Sequence, residues 1–411
     1  MNKVLITGLG AVSCFGLTKE DLFKGLSENL CGFKKFESWS DIKGLNCHIG
    51  AEVENFDNKF IPRKKRRSMS KMSEMAYLAT LDALADAGIA LGEIEEGHPV
   101  NPMRTNLIYG STTGSPTTLE SFYKKYFESG GEGQLSTSFF KVMNHSVAAN
   151  VALGIGYRGP LIAPSSACST SNQALILGME LIKVGLYDVV VVGGADELHP
   201  SSVGVFDIVH AAARGYDDKP HTLPGPFDKN RPGLVVSEGA GVIVLESESH
   251  MKLRGGSSYG EILGGAYQCD GIHMAQPDQK SMSETMFRAI ENSHLSPHEI
   301  DYVNAHATGT VIGDVLEGKA IVDTVGSKVP ISSLKGHMGH SLAACGTLEV
   351  VASLLMAKEK KLIGNRNLTE LDDELKDSNF LFNDENLAIE VFLSNNFAFG
   401  GMNSSLVVRC H

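Results

Sequence analysis

Short unbroken apolar runs, each ending in glycine or small polar residues, recur along this chain and alternate with stretches of helical spacing. Residues 4–7 read as a strand entering a glycine turn, and residues 107–113 (LIYGSTT) as a strand ending in small polar side chains. Residues 161–194 read as a short strand, a tight turn with Cys168 at its crest, a helix over about 170–184 and a second strand over 189–192. A further buried strand is expected over 238–245, followed by strand, helix and strand over 260–264, 283–294 and 302–305. Met72, Ala76, Ala79 and Ala83 at helical spacing predict a helix that stops at Gly88. Apolar strands alternating with helices predict a layered α/β fold with a mostly parallel sheet. The segment SACSTSNQALILGMELIKVG is echoed by GHSLAACGTLEVVASLLMAK. That echo predicts a duplication, residues 1–246 and 247–411, with a site between the halves.

Composition narrows the class. No apolar run is long enough to span a bilayer and the amino terminus opens on a strand, so a soluble, cytoplasmic protein with no membrane partner is expected. The 7 cysteines are odd in number, scattered and free of any C-x-x-C pair, which argues against a disulfide framework and against a zinc site. A net charge of −12 disfavours nucleic acid as a partner. Against that balance stands IPRKKRRSMSK, with Arg63, Lys64, Lys65, Arg66 and Arg67, a candidate docking surface for an acidic partner. Gly8 and Gly10 begin a dinucleotide-type fingerprint, but Ser13 stands where its third glycine belongs. The turn-rich stretch 215–233 is long enough to be functional.

Candidate chemistry lies at strand ends, where loops of α/β sheets place their sites. Cys168 is flanked by small residues and begins a helix, where unpaired N–H groups and the macrodipole favour a thiolate. A buried packing cysteine is the alternative. VNAHATGT carries His306, Thr308 and Thr310; ISSLKGHMGHSLAACG carries Lys335, His337 and His340; SNNFAFGGMN is a strand entering a glycine turn at Phe399. His306 alone could be a satisfied core residue, and His337 and His340 could be surface residues. His337 and His340 could be a metal pair, although no further ligands appear at a recognisable spacing. One cysteine with two histidine loops is equipment for acyl transfer through a thioester.

At these residues the chain resembles the β-ketoacyl-acyl-carrier-protein synthases of the thiolase superfamily, most closely the KAS II-like members. The resemblance runs from TGLGAVS through SSACS, GGADE, PFDKNRPG, EGAG, VNAHATGT and KGHMGHSLAACG to FAFGGMNSS. It implies a five-layered αβαβα fold built from two duplicated halves. It also implies that Cys168 is the acylated nucleophile, His306 and His340 the decarboxylation histidines, Lys335 their loop lysine, and Phe399 the gate. Asp314 and Glu349 would support that lysine and its loop, and Thr308 and Thr310 would bind the phosphopantetheine arm. Thr112, Thr113 and Ser115 would line the acyl pocket. Backbone N–H groups of Cys168 and Phe399 would form the oxyanion hole. No cofactor is implied beyond the phosphopantetheine of the carrier protein. Partners would be acyl-carrier protein, docking at Arg63, Lys64 and Arg67, and a second subunit, either another copy or a chain-length-factor-like relative. Gly225, Pro232 and Leu234 depart from the usual R-P-F-D and R-D-G-F, and Ala398 replaces a glycine and should stiffen the gate. With GADELHP, these variants resemble synthases of type II polyketide and aryl-polyene pathways. The alternatives are an inactive chain-length-factor-type partner, which would lack Cys168, and a thiolase using coenzyme A thioesters.

Overall fold

The computed structural model describes residues 2–54, 56–132 and 134–411. Ten strands make up the main sheet: β1 Val4–Val12, β2 Thr105–Gly110, β3 Leu161–Ile162, β4 Val189–Asp196, β5 Gly239–Ser247, β6 Gly260–Cys269, β7 Tyr302–Asn304, β8 Ile331–Ser332, β9 Val391–Ala398 and β10 Met402–Cys410. The helices that matter below are α1 Lys71–Ala87, α2 Pro116–Ser129, α3 Ser136–Val142, α4 Ser146–Ile155, α5 Thr170–Lys183, α6 Pro200–Ile208, α7 Gln279–Asn292, α8 Val311–Val325 and α9 Cys345–Glu359. The strand order is β8-β7-β9-β10-β6-β1-β5-β4-β2-β3. Its two halves use the same order, third-second-fourth-fifth-first when each is counted from its own first strand. They meet through Leu5 opposite Glu261 and Ile6 opposite Gly260. The duplication heard faintly in the sequence is therefore a repeated topology.

The expected mostly parallel sheet is corrected. Four neighbouring pairs are parallel and five antiparallel. The reason is the connection. Parallel neighbours need a crossover helix, whereas β9 and β10 are joined by the three-residue turn at Phe399–Gly401, and β4 returns to β5 from the same end of the sheet. Several strands also run longer than the apolar stretches that announced them, because polar and glycine residues such as Asp196 and Gly265 continue the ladder.

Helices α5 and α9 lie between the two half-sheets, α1 packs outside β1, β4 and β5, and α7 packs outside β6 and β10 with α8 beside it. This is the five-layered arrangement. Helix α9 is buried from Cys345 to Met356, as a helix apolar on all sides must be. The core between the sheets draws Leu175 and Ile176 from α5 and Val350, Val351 and Leu354 from α9. Among the described residues, no helix is long and apolar enough to cross a membrane.

Gly8 and Gly10 have a packing role in place of a nucleotide. A Cβ on Gly10 would lie 1.9 Å from the Ala79 carbonyl oxygen, and one on Gly8 would lie 2.2 Å from that of Ala83. The small face of α1, ended by Gly88 in the left-handed conformation, settles directly on β1. The halves also repeat one strained detail. Ala167 and Leu342 adopt φ of 49° and 51°, and each opens a single 3-10 turn that runs into α5 or α9.

Gly10→Ala is expected to lower stability by about 1–3 kcal/mol, because backbone must move to admit the methyl group. Denaturant unfolding checks this; an unchanged midpoint would contradict the contact.

Candidate active site

The turn bearing Cys168 is fixed from both sides. The Thr170 hydroxyl donates to the Ala167 carbonyl at 2.7 Å and accepts the Ser166 N–H at 2.9 Å. The Ser169 hydroxyl reaches into the other half, donating to the carbonyls of Asn396 and Met402. Glycines allow the approach. A Cβ on Gly194 would meet the Ala343 carbonyl oxygen at 2.3 Å, and one on Gly346 would meet the Asn172 nitrogen at 2.7 Å. The beginnings of α5 and α9 are therefore in direct contact.

This contact brings the chemistry together. His340 Nε2 lies 2.9 Å from Cys168 Sγ. Ligating atoms of Cys168, His306 and His340 all fall within 4.8 Å of one another, and all three residues are buried. The two imidazoles stand edge to face, 5.2 Å between centroids. Glu317 accepts the His306 N–H at 2.7 Å, and the Val235 carbonyl accepts that of His340 at 2.8 Å, which fixes both loops by their backbones.

Lys335 pairs with Glu349, both almost wholly buried, and Asn396 Nδ2 donates to the second Glu349 oxygen at 2.9 Å. Asp314 does something different from what was expected. It accepts the N–H groups of Thr308, Gly309 and Phe227, and Arg231 stands 3.5 Å away. It therefore holds the His306 loop, not the lysine loop. Arg231 also bonds Asp372 and the Thr310 carbonyl, so the variant loop at 225–234 keeps a structural function. Gly225 is required where it is, since a Cβ there would lie 1.8 Å from the Arg366 carbonyl oxygen.

Burial dominates the electrostatics. It pushes the Cys168 thiol up to about 12, against the opposing pull of the Lys335 ammonium. The thiolate expected from the helix start is thus not the favoured resting form; desolvation outweighs the helix field. Burial, then Lys335, holds both imidazoles well below the ordinary histidine range, so both are neutral. Burial works against the Lys335 charge as well, but Glu349 more than restores it. A neutral His340 beside a neutral thiol is placed to take its proton. One thiol and two imidazoles could also ligate a metal, but a divalent ion there would sit in the field of the buried Lys335 charge.

A cavity of about 750 Å³ opens onto these groups, lined among others by Thr308, Thr310 and Phe399. Phe399 lies 5.3 Å, ring to ring, from Phe206 of α6, which in turn lies 6.3 Å from His340. The gate turn is tied to the loop after β6, Gly400 N–H to Met274 carbonyl and Asp270 N–H to Gly401 carbonyl. Three expected pocket residues are not in this cavity. Thr112 gives its N–H to Asp196, Thr113 is exposed, and Ser115 is the buried N-cap of α2, bonded to Glu197. A short strand end turned them toward the acidic end of β4, a placement set by tertiary packing. His337 is buried apart from the cluster. Phe206, Asn396 and Asp196, which accepts the Ala343 N–H, are not among the expected site residues; Asn396 and Asp196 nevertheless lie within the stretches SNNFAFGGMN and GGADE, and Phe206 lies in neither. In the basic run, Lys65 bonds Glu93 and the Gly154 carbonyl and Arg66 bonds Asn58, while Arg63, Lys64 and Arg67 remain exposed.

Comparison with known proteins agrees with this geometry. Residues 1–251 match the profile of the Beta-ketoacyl synthase N-terminal domain and residues 259–369 that of its C-terminal domain. The chain is 32% identical to 3-oxoacyl-[acyl-carrier-protein] synthase 1 of Haemophilus influenzae, covering 100% of this chain and 99% of that one. It is 33% identical to the Escherichia coli K12 protein of the same name, with the same coverage. A crystal structure of a β-ketoacyl synthase from Burkholderia phymatum superposes with a TM-score of 0.94 at 37% identity, covering 100% of both chains. A Xenorhabdus doucetiae ketosynthase solved with its chain length factor shares the fold, with a TM-score of 0.84 at 24% identity and coverage of 100% and 98%.

Glu349→Ala, which leaves the Lys335 charge buried without its partner, is expected to cost about 3–5 kcal/mol of stability. The double variant Lys335→Met, Glu349→Leu should recover most of that loss. Equal instability of the two in denaturant unfolding would contradict the ion-pair account.

Proposed function

The chain belongs to the β-ketoacyl synthase family, and we propose that it joins an acyl group held on Cys168 to a malonyl unit on acyl-carrier protein, with loss of carbon dioxide. The observation that carries the reading is the buried thiol 2.9 Å from one neutral imidazole, with a second beside it at the end of an open cavity. Cys168 Sγ attacks the carrier-bound acyl thioester as His340 accepts its proton, and the departing phosphopantetheine thiolate leaves protonated. Backbone N–H groups of Cys168 and Phe399 stabilise the tetrahedral oxyanion. Malonyl-carrier protein then enters past Thr308 and Thr310. As the carboxylate leaves as carbon dioxide, enolate charge grows on the thioester oxygen, where N–H groups of His306 and His340 receive it. The carbanion attacks the Cys168 thioester, Cys168 leaves as thiolate and is reprotonated, and the chain is two carbons longer. Lys335 acts through the imidazoles: its charge adds to burial in keeping both neutral, each with a proton to donate. No cofactor of the enzyme's own is needed for these steps.

Carrier protein docks at Arg63, Lys64 and Arg67, the exposed part of the basic run. A second subunit, another copy or a chain-length-factor-like relative, covers the aromatic face of α2 and α3. There Tyr123, Tyr126, Phe127, Phe139 and Phe140 are all about half exposed or more, more apolar surface than an isolated domain normally leaves open. The two-residue edge strand β3 belongs to the same half-sheet. The motif variants favour a polyketide or aryl-polyene chain over a housekeeping fatty acid.

Cys168→Ala is expected to fold normally and to gain no acyl mass on incubation with acyl-carrier protein; an adduct persisting in the variant sinks the assignment. Changing Arg63, Lys64 and Arg67 together to Glu should weaken carrier binding at least tenfold at low salt. Unchanged affinity by calorimetry would remove the docking site.

A further inference from the structure

A second cysteine lies against the turn that carries the nucleophile. Cys345, the first residue of α9, is wholly buried, and its Sγ is 3.1 Å from the carbonyl oxygen of Cys168. Asn396 Nδ2 donates to the same sulfur at 3.4 Å and to Glu349 at 2.9 Å. Burial, then the Glu349 charge, pushes the Cys345 thiol far up, so it carries the hydrogen that the carbonyl accepts.

The repeated topology makes this contact specific. Counting from the strained residues Ala167 and Leu342, position 170 in the first half corresponds to 345 in the second. Thr170 spends its hydroxyl on its own turn. Cys345, at the matching position, reaches across to the other half. A small thiol fits where Gly346 next to it is already in contact with α5.

We propose that Cys345 is a positioning residue for the condensation: its thiol anchors the Cys168 carbonyl and links the nucleophile's turn, through Asn396, to the Lys335–Glu349 pair. The thiol itself touches no reacting atom. It holds the turn in which Ala167 is left-handed, with Cys168 Sγ directed at His340.

The inference rests on the proposed function for its meaning, and its test includes a readout that does not. Full-length parent, Cys345→Ala and Cys345→Ser are compared for the rate of acyl transfer from acyl-carrier protein to Cys168. They are also compared for the rate of Cys168 alkylation by iodoacetamide as a function of pH, with thermal unfolding to set the folded fraction. The loss of one hydrogen bond from the turn predicts that Cys345→Ala slows both rates roughly three- to tenfold and shifts the alkylation profile. Cys345→Ser, which keeps a donor, should return both to within about twofold of the parent. Parent rates in Cys345→Ala, or equal losses in the alanine and serine variants, would overturn the proposal. If the parent takes no acyl group while alkylation follows the predicted order, the functional reading fails and the positioning stands.

Discussion

Two helices begin in contact with one another at the centre of this molecule, and the rest of the site depends on that approach. Each start is a strained residue and a single tight turn, and each comes from one copy of the same five-stranded unit. Gly194 and Gly346 leave the space that makes the contact possible. Because the turns touch, Cys168 from one half and His340 from the other need no long loop to meet. The outer helices, the β9–β10 hairpin and the acidic end of β4 serve as buttresses. Asp196 bonds the second turn directly, and the hairpin receives the Ser169 hydroxyl.

Burial at this junction sets the chemistry. A dry pocket disfavours every charge in it, and the charge that persists beside the thiol and imidazoles is that of the Lys335–Glu349 ion pair. The Lys335 charge then lowers the two imidazoles further and also lowers the thiol, there working against the rise that burial causes. A solvated site with the same side chains would have a more acidic thiol and more basic histidines. Neutral imidazoles suit a reaction in which negative charge appears on an oxygen and must be met by N–H donors already in place. The arrangement therefore favours the step in which charge develops over the resting thiolate.

Much of this was legible in the sequence wherever a residue type and its immediate neighbours decide the outcome. Cys168, His306 and His340 stood out because each ends an apolar strand among glycine, serine and threonine, and the motifs around them carried a family resemblance. The duplication was audible in one pair of helices. What the sequence could not convey depends on distance in space. Asp314 was assigned to the wrong loop, since the choice between two strand ends is made by the fold around Arg231 and Phe227. The family resemblance implies that Thr112 and Ser115 line the acyl pocket, yet their partners here are Asp196 and Glu197. Parallel pairing was overestimated because an antiparallel strand buried on both faces has the same unbroken apolar pattern as a parallel one. Phe206 lies in a segment with no local signature, and Asn396 sits within SNNFAFGGMN, where nothing local distinguishes it from Asn395.

The central claim is that Cys168 and the two histidines divide the reaction between them: the thiol carries the chain, and the imidazoles serve the loss of carbon dioxide. The direct measurement is carbon dioxide release from isotopically labelled malonyl-carrier protein by a His306→Ala variant whose Cys168 has first been acylated. The account predicts an acyl adduct by intact mass equal to the parent's, with carbon dioxide release slowed about a hundredfold or more. Release at the parent rate from that acylated variant would contradict it.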